Sequence, residues 1–331
     1  MTPPAPETPR VVVVTLGGTI ASRGAAGHPV EPALAGGEFL AGLGALAGVE
    51  VALHDRRTVP SVEVTLEDLA AAADLIAAER AAGAVGAVVV QGTDTLEESA
   101  AALDLLGGAG PIVVTGAMRP PSSPGADGPA NLVAALRVAA APAAQGLGAL
   151  VVLGDDIHAA RFVRKAHSAR PAAFASPTLG PIGEVVEGRV ALHARLAPLP
   201  PVAARPPFPA VALVPVVHDD DGRLVHVLAS LGHAGVVVEA PGGGHVPAAL
   251  AAPLGDLAAR VPVVLASRTG AGPVLRETYG YPGGEVDLRA RGLIGAGPLD
   301  ARHARVALRL LLSAGASRAD VAAWFGALDA L

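Results

Sequence analysis

A threonine and a carboxylate follow directly on an apolar strand in the first half of the chain. The stretch Gln91-Gly92-Thr93-Asp94-Thr95 comes after the apolar run 84–90, and two glutamates then open a helix-like segment. Acidic residues are favourable at the positive N-terminal end of a helix. The pattern therefore predicts that Thr93 and Asp94 lie where a parallel strand ends and its helix begins. Ligands bind at that edge of open α/β sheets. Because Thr and Asp are also good helix caps, an ordinary capped turn is the alternative interpretation.

A second hydroxyl stands in a similar place near the start of the chain. The β-branched strand 10–15 ends in Leu16-Gly17-Gly18-Thr19. Two glycines allow a sharp turn that aims backbone N–H groups outward, so Thr19 has the layout of a nucleophile beside an anion pocket. The alternative is a phosphate-binding turn, although neither G-x-G-x-x-G nor the P-loop pattern is present.

Lysine occurs once, at Lys165, against 23 arginines, and asparagine occurs once, at Asn131. The excess of Arg, Ala, Gly and Pro is typical of a GC-rich genome, which replaces Lys by Arg wherever only a positive charge is needed. An ammonium can give up its proton where its pKa is depressed, whereas a guanidinium effectively cannot. The retained lysine is therefore a candidate for proton transfer, with a chance survivor on the surface as the alternative.

The order of these motifs resembles that of the bacterial-type L-asparaginases, a family that includes the asparaginase–glutaminases. The resemblance runs from about Val11 to the end of the chain, and Gln91 stands where His is usual. The matching blocks are Gly17-Gly18-Thr19-Ile20-Ala21, Gly92-Thr93-Asp94-Thr95, Gly116-Ala117-Met118-Arg119-Pro120, Ala126–Leu132, Gly292–Gly297 and Ala301–Arg305.

The resemblance implies hydrolysis of a side-chain amide, converting L-asparagine to L-aspartate and ammonia. Thr19 is then the nucleophile that forms an acyl-enzyme, and Thr93, Asp94 and Lys165 form a cluster that polarises the nucleophile or a water. A backbone N–H near Thr93 is the candidate holder of the oxyanion.

The same resemblance implies anchors for the amino-acid head of the substrate. Ser61 and Asp94 match the family's anchors, and Glu285 matches an acid that a neighbouring subunit supplies, so a homo-oligomer is expected, either a dimer or a dimer of dimers (a homotetramer). If the resemblance is set aside, the alternative interpretations are an ordinary turn serine for Ser61 and a solvated loop acid for Glu285.

Three further residues are candidates because the chain departs from the family pattern. Residues 22–40 lack the tyrosine that the family's mobile loop usually carries, and Val62 stands where secreted members often have a polar contact. Tyr279 and Tyr281, the only tyrosines, lie just before Glu285 and are candidate replacements, with packing as the alternative. His245 follows three glycines, where secreted relatives tend to have Asn near the site.

Composition narrows the class of protein. The chain has 331 residues, 51% of them hydrophobic but only 2% aromatic, so Ala, Val and Leu must build the core. A net charge of −6 without a basic stripe argues against nucleic acid as a partner. There is no cysteine, and the ten histidines show no metal-ligand spacing, so neither a metal nor a cofactor is expected. No run reaches the length of a membrane span, and 1–10 lacks the apolar core of a signal peptide, which predicts a cytoplasmic protein.

Alternating strands and helices must position these residues. They predict an α/β fold: a mostly parallel, doubly wound sheet in domain 1–195, a Pro-rich linker at 196–209 and a smaller α/β domain at 210–331. In the first domain we expect strands at 11–15, 49–53, 84–90, 111–115 and 148–153, helices at 65–82, 96–107 and 129–142, a mobile loop with a short helix at 22–48, an exposed segment at 158–180 and a hairpin at 181–195. In the second domain we expect strands at 211–217, 235–240 and 261–266 and helices at 222–231, 247–259, 301–314 and 318–330.

Two other functions remain open at this point. Within amide hydrolysis, the chain could be a glutaminase–asparaginase, or the amidotransferase subunit that shares these motifs but normally has an extra N-terminal domain. In another class, it could be a non-catalytic or nucleotide-binding doubly wound protein, which predicts stabilisation by nucleotides and no release of ammonia.

Overall fold

The computed structural model describes residues 8–23, 31–32, 37, 40, 43–108, 110–228 and 230–328. The chain divides into two compact units, Met1–Pro201 and Val202–Leu331, and the division falls within the Pro-rich segment 196–209. Most of the predicted loop at 22–48 lies outside the described residues, as do the first seven residues and the end of the predicted helix 318–330.

An eight-stranded sheet forms the centre of the first unit, in the order β12-β11-β8-β7-β6-β5-β1-β4. Its neighbours are parallel from β4 to β7, while β8, β11 and β12 pair antiparallel. The elements are β1 (Arg10–Gly17), β2 (Ser22–Arg23), β3 (Glu31–Pro32), α1 (Leu43–Ala47), β4 (Glu50–Val59), α2 (Leu66–Ala81), β5 (Gly86–Val90), α3 (Leu96–Leu106), β6 (Ile112–Thr115), α4 (Gly128–Ala140), β7 (Ala149–Leu153), β8 (Asp156–Ala159), β9 (Arg164–Lys165), β10 (Phe174–Ala175), β11 (Gly183–Val186) and β12 (Arg189–Leu192).

The parallel strands are buried on both faces, which explains their unbroken β-branched sequences. Val11 to Val14 of β1 and Val88 to Val90 of β5 are all 0% exposed. Thr15 pairs with both Val90 and Asp55, so the carboxyl ends of β1, β4 and β5 meet at one edge of the sheet. The predicted fold class, a mostly parallel doubly wound sheet with a second, smaller α/β domain, is confirmed.

Helix α2 begins where the sequence predicts. The side chain of Thr65 accepts a hydrogen bond from the backbone N–H of Asp68, and the Asp68 carboxylate accepts one from the N–H of Thr65. This reciprocal capping satisfies two backbone donors that the first turn of a helix leaves unpaired.

The prediction of an exposed segment at 158–180 is wrong for 158–165 and 173–176, although 166, 168–170, 172 and 177–179 are exposed. Ala160, Arg161, Val163 and Phe174 are each at most 8% exposed. The Arg161 guanidinium reaches the carbonyl of Ala197, and burial lowers its pKa. The sequence alone does not distinguish a buried arginine whose guanidinium is hydrogen-bonded in this way from an arginine on the surface.

Other boundaries in the first unit also differ from expectation. Strand β4 runs on to Val59 instead of ending at Leu53, and β8 is an additional strand that pairs with β7. The half-exposed pattern of β4 hides its length, because an edge strand needs no continuous apolar run.

A parallel four-stranded sheet in the order β13-β14-β15-β16 forms the second unit. Sequence patterns missed two short elements, the six-residue helix Glu285–Ala290 and the two-residue strand Ile294–Gly295. The elements are β13 (Val211–Pro215), α5 (Arg223–Leu228), β14 (Gly235–Ala240), α6 (Ala248–Ala258), β15 (Val263–Ser267), α7 (Glu285–Ala290), β16 (Ile294–Gly295), α8 (Ala301–Ser313) and α9 (Arg318–Ala327).

Asp300 caps helix α8 with a partly buried charge. Its Oδ1 accepts hydrogen bonds from the backbone N–H groups of Arg302 and His303, and it lies 2.8 Å from Nδ1 of the buried His303. Burial raises the pKa of the Asp300 carboxyl, but the charge and hydrogen bonds of His303 outweigh that effect and hold the pKa well below its ordinary value.

Asp300→Ala is expected to lower the free energy of unfolding at pH 7 by about 1–2 kcal/mol, the size of a lost cap. Asp300→Asn, which keeps an acceptor oxygen, should lose less. Because the pKa is depressed, the charge stabilises the fold above the ordinary value of 3.8, and this contribution is lost as the pH falls further. Urea titrations at several pH values measure the difference, and an Asp300→Ala deficit that is the same at pH 7 and pH 3 would contradict the account.

Candidate active site

Two glycine-containing turns touch each other where β1 and β5 end. Gly18 has a φ of +93°, and a Cβ built on it would lie 2.1 Å from the backbone nitrogen of Gly92. Only glycine allows this approach with that backbone conformation. Thr19, the next residue, opens a 3-10 turn over Thr19–Ala21 whose last N–H donates to the Gly18 carbonyl. The contact therefore places the two threonine motifs side by side.

Lys165 joins the polar groups of the second motif. Its Nζ donates to Oγ1 of Thr93 at 2.8 Å and to Oδ1 of Asp94 at 2.6 Å. The lysine side chain is 13% exposed and Thr93 5%, whereas the Asp94 carboxylate is 68% exposed. The arrangement is an ammonium held between a hydroxyl and a carboxylate that opens to solvent. Thr93, Asp94 and Lys165 are thus brought together, and their catalytic roles stay a prediction.

Ser61 reaches the same cluster from the end of β4. Its Oγ accepts the backbone N–H of Asp94 at 3.1 Å, and its carbonyl accepts the Thr95 hydroxyl at 2.8 Å. The serine is 3% exposed. These bonds fix the Asp94 backbone and leave the Ser61 proton free to turn toward a ligand.

A cavity of about 320 Å³ opens beside the cluster and is lined by Asp94, Lys165, Ala166, His167 and Ser168. His167 is not among the candidates that the sequence motifs predict. Its Nδ1 accepts hydrogen bonds from the N–H groups of Ala169 and Arg170, which places the ring proton of the neutral form on Nε2.

The single asparagine supports the site through a neighbouring loop. Asn131 Nδ2 donates to the carbonyl of Gly116 and to Asp127, and its Oδ1 accepts the N–H of Gly154. Gly116 in turn packs against Thr93, since a Cβ there would lie 3.3 Å from the Thr93 methyl carbon. An amide supplies both donors and an acceptor in one planar group, which explains why Asn is kept here.

Glu285 lies in the second unit, at the start of α7, and is 0% exposed. Its Oε1 accepts the N–H groups of Thr278 and Tyr279, and its Oε2 lies 3.2 Å from Nε2 of His245. Burial raises the pKa of this carboxyl, and the hydrogen bonds lower it by more, so the net pKa is lowered and the group is an anion.

The rings of His245, Tyr279 and Tyr281 form one aromatic cluster. The His245 ring meets both tyrosines edge-on, at centroid distances of 4.9 and 5.6 Å, and the tyrosines are 43% and 48% exposed. The sequence candidates His245, Tyr279, Tyr281 and Glu285 are therefore neighbours. In this conformation His245 occupies the free side of the Glu285 carboxylate.

No group of three or more His, Cys, Asp or Glu residues in the described ranges could hold a metal ion. In the same ranges, none of the helices has both the length and the apolar character needed to cross a membrane.

Comparison with known proteins decides the family. A model described as "Asparaginase, N-terminal" matches residues 10–198, and one described as "Glutaminase/Asparaginase C-terminal domain" matches 210–325. The chain belongs to the asparaginase family. It is an L-asparaginase-family amidohydrolase, and the resemblance that the motifs predict is confirmed.

Relatives of this family cover almost the whole chain. The chain is 40% identical over 329 residues to a probable L-asparaginase of Deinococcus radiodurans, covering 95% of this chain and 96% of that one. It is 32% identical over 310 residues to an L-asparaginase of Bacillus licheniformis, covering 92% and 95%. The crystal structure of a probable cytoplasmic L-asparaginase from Campylobacter jejuni superposes with a TM-score of 0.83 at 27% identity, covering 96% of this chain and 99% of that one.

The contact between Gly18 and Gly92 can be tested with two alanine variants. Gly48 also has a positive φ, of +73°, but a Cβ there meets nothing within 4 Å. Gly48→Ala should therefore cost only the backbone strain of about 1–2 kcal/mol. Gly18→Ala adds a collision with backbone and should unfold at a clearly lower temperature and denaturant concentration. Equal losses in the two variants would show that the approach of the two turns is not tight.

Proposed function

We propose that the protein hydrolyses L-asparagine to L-aspartate and ammonia through an acyl-enzyme on Thr19. The observation that carries the proposal is the placement of Lys165 Nζ within 2.8 Å of Thr93 Oγ1 and 2.6 Å of Asp94 Oδ1, beside the turn that holds Thr19. Among the described residues, none forms a hydrogen bond with Thr19 Oγ1.

In the proposed reaction, the Thr19 oxygen attacks the amide carbon while its proton passes to a base. The carbonyl electrons move to the oxygen, and a backbone N–H near Thr93 holds that oxyanion. Collapse of the intermediate breaks the C–N bond, the leaving nitrogen takes up the proton, and ammonia departs. A water, polarised by Thr93 with Lys165 and Asp94, then attacks the acyl carbon, and the proton returns to Thr19.

Ser61 and Asp94 are proposed to anchor the amino-acid head. The Ser61 hydroxyl can donate to the α-carboxylate, and the exposed oxygen of Asp94 can accept from the α-ammonium. Both groups lie at the cluster, because Ser61 Oγ binds the Asp94 backbone.

The experiment is an ammonia assay with L-Asn, L-Gln and D-Asn. We expect release from L-Asn, and Thr19→Ala should abolish it, since only a hydroxyl is lost at a turn. Thr178→Ala, at an exposed position, is the matched control and should retain full activity. Turnover of Thr19→Ala within about tenfold of wild type would exclude Thr19 as the nucleophile, because losing a nucleophile costs several orders of magnitude. No ammonia from any substrate, with stabilisation by nucleotides, would favour the nucleotide-binding alternative.

A broader glutaminase–asparaginase activity is the second candidate. Val62, next to Ser61, is apolar and 64% exposed, so it offers no polar contact that selects between substrates of different length. The ratio of kcat/KM for L-Gln and L-Asn in the same assay decides between the two. We also infer that the protein acts in the cytoplasm, in keeping with the description of the Campylobacter relative.

We propose that Tyr279 or Tyr281 replaces the tyrosine that residues 22–40 lack, with its hydroxyl taking part in proton transfer. Tyr→Phe at each position removes only the hydroxyl. A fall in kcat of roughly 10²-fold at one position and not at the other, the low end for a proton-transfer role, is the expected result. Wild-type rates in both variants would show that the tyrosines only pack against His245.

We propose that Glu285 completes the site of a partner copy in a homo-oligomer, which requires His245 to move away from Oε2. Inactive Thr19→Ala and Glu285→Ala protein should then complement each other when dissociated and reassembled together. In hybrid dimers one of the two sites is intact, so random mixing should restore about a quarter of wild-type activity. If the mixture stays inactive while each variant still assembles, Glu285 does not act across the interface.

A further inference from the structure

Lys165 stands on a small hairpin that does not belong to the eight-stranded sheet. Strands β9 and β10 form a sheet of their own, in which Lys165 pairs with Phe174. Thr93 and Asp94, by contrast, follow β5 in the large sheet. Strand pairing therefore does not fix the distance from the lysine to its two partners, and side chains can help to set it.

One such side chain is Glu97, in the first turn of α3. It is 6% exposed, and its Oε2 accepts the backbone N–H of Lys165 at 3.2 Å. Directly after the second strand of the hairpin, Ser176 Oγ lies 3.0 Å from Nδ1 of His158, a histidine that is 1% exposed and whose pKa is lowered by burial. The hairpin is thus attached to the rest of the unit through buried polar side chains.

The side chains that bind Nζ of Lys165 and the one that binds its backbone N–H lie close together in the sequence. Thr93 and Asp94 directly precede α3, and Glu97 is in the first turn of the same helix. The lysine is held to this short stretch at two points, by Nζ to Thr93 and Asp94 and by its backbone N–H to Glu97.

We propose that Glu97 is a positioning residue for the amidohydrolase reaction: its carboxylate holds the main chain of Lys165 so that Nζ stays in hydrogen-bond contact with Thr93 and Asp94. This inference rests on the proposed function, since Lys165 is given its role there. Proton transfer requires heavy atoms at about 2.6–3.2 Å, and a displacement of about 1 Å costs on the order of 10²-fold in rate.

Two conservative variants separate position from charge. Glu97→Asp keeps the charge but withdraws the carboxylate by one methylene, whereas Glu97→Gln keeps the reach and an acceptor oxygen but removes the charge. We expect Glu97→Asp to lower kcat by roughly 10- to 100-fold with KM within about threefold of wild type. Glu97→Gln should keep kcat within about threefold and leave the pH profile of kcat unchanged.

The single lysine provides a readout that does not need activity. Acetylation of Lys165 by acetic anhydride can be measured by peptide mass spectrometry against the N-terminal amine as internal standard. Glu97→Asp should lose the hydrogen bond to the backbone N–H of Lys165, so its lysine should be acetylated several times faster than in wild type. The lysine of Glu97→Gln should be acetylated at the wild-type rate. Glu67→Asp and Glu67→Gln, at an exposed position in the first turn of α2, are the matched controls and should resemble wild type in both assays.

The outcomes are distinguishable. The inference is overturned if both Glu97 variants keep wild-type kcat and labelling, or if Glu97→Gln is the more impaired and shifts the pH profile, because the charge would then be the operative property. A wild-type protein that releases no ammonia overturns the proposed function and, with it, the catalytic part of this inference. In that case unequal labelling of the two Glu97 variants would still show that Glu97 holds the lysine in place.

Discussion

The close approach of two backbones, at Gly18 and Gly92, is the constraint on which the site depends. A Cβ at Gly18 would stand 2.1 Å from the Gly92 nitrogen, so no other residue fits at this point without moving one of the turns. The approach is possible because β1 and β5 are adjacent parallel strands in register, with Thr15 opposite Val90. Buried valines on both faces hold that register, and the polar residues need only follow the strand ends.

The polar and charged side chains of the site surround the ammonium group of Lys165. Lys165 is the only lysine, and it sits between a hydroxyl that is nearly buried and a carboxylate that is open to solvent. An arginine in its place would be wider and permanently protonated. Glu97 of α3 binds the main chain of the hairpin that carries the lysine, and Thr93 and Asp94, just before α3, bind its Nζ.

Sequence reasoning succeeded where the signal is local. Buried parallel strands read as unbroken β-branched runs, the Thr65–Asp68 capping pattern marks the start of α2, and the two glycine–threonine motifs lie at strand ends as predicted. It failed where contacts between residues that are distant in the sequence determine the local structure. Arg161 is buried because a distant carbonyl, that of Ala197, accepts its guanidinium, and Glu97 contacts Lys165 across 68 residues of chain. The two-residue pairing of β9 with β10 is too short to leave a periodic pattern.

Detection of an acyl-enzyme on Thr19 tests the proposed mechanism most directly. Rapid acid quenching of the enzyme with L-asparagine, followed by digestion and mass spectrometry, reports which peptide carries the added β-aspartyl group. We expect that group on the peptide that contains Thr19 in wild type, and no such group in Thr19→Ala. An aspartyl group on the peptide that contains Thr93, with the Thr19 peptide unmodified, would contradict that mechanism.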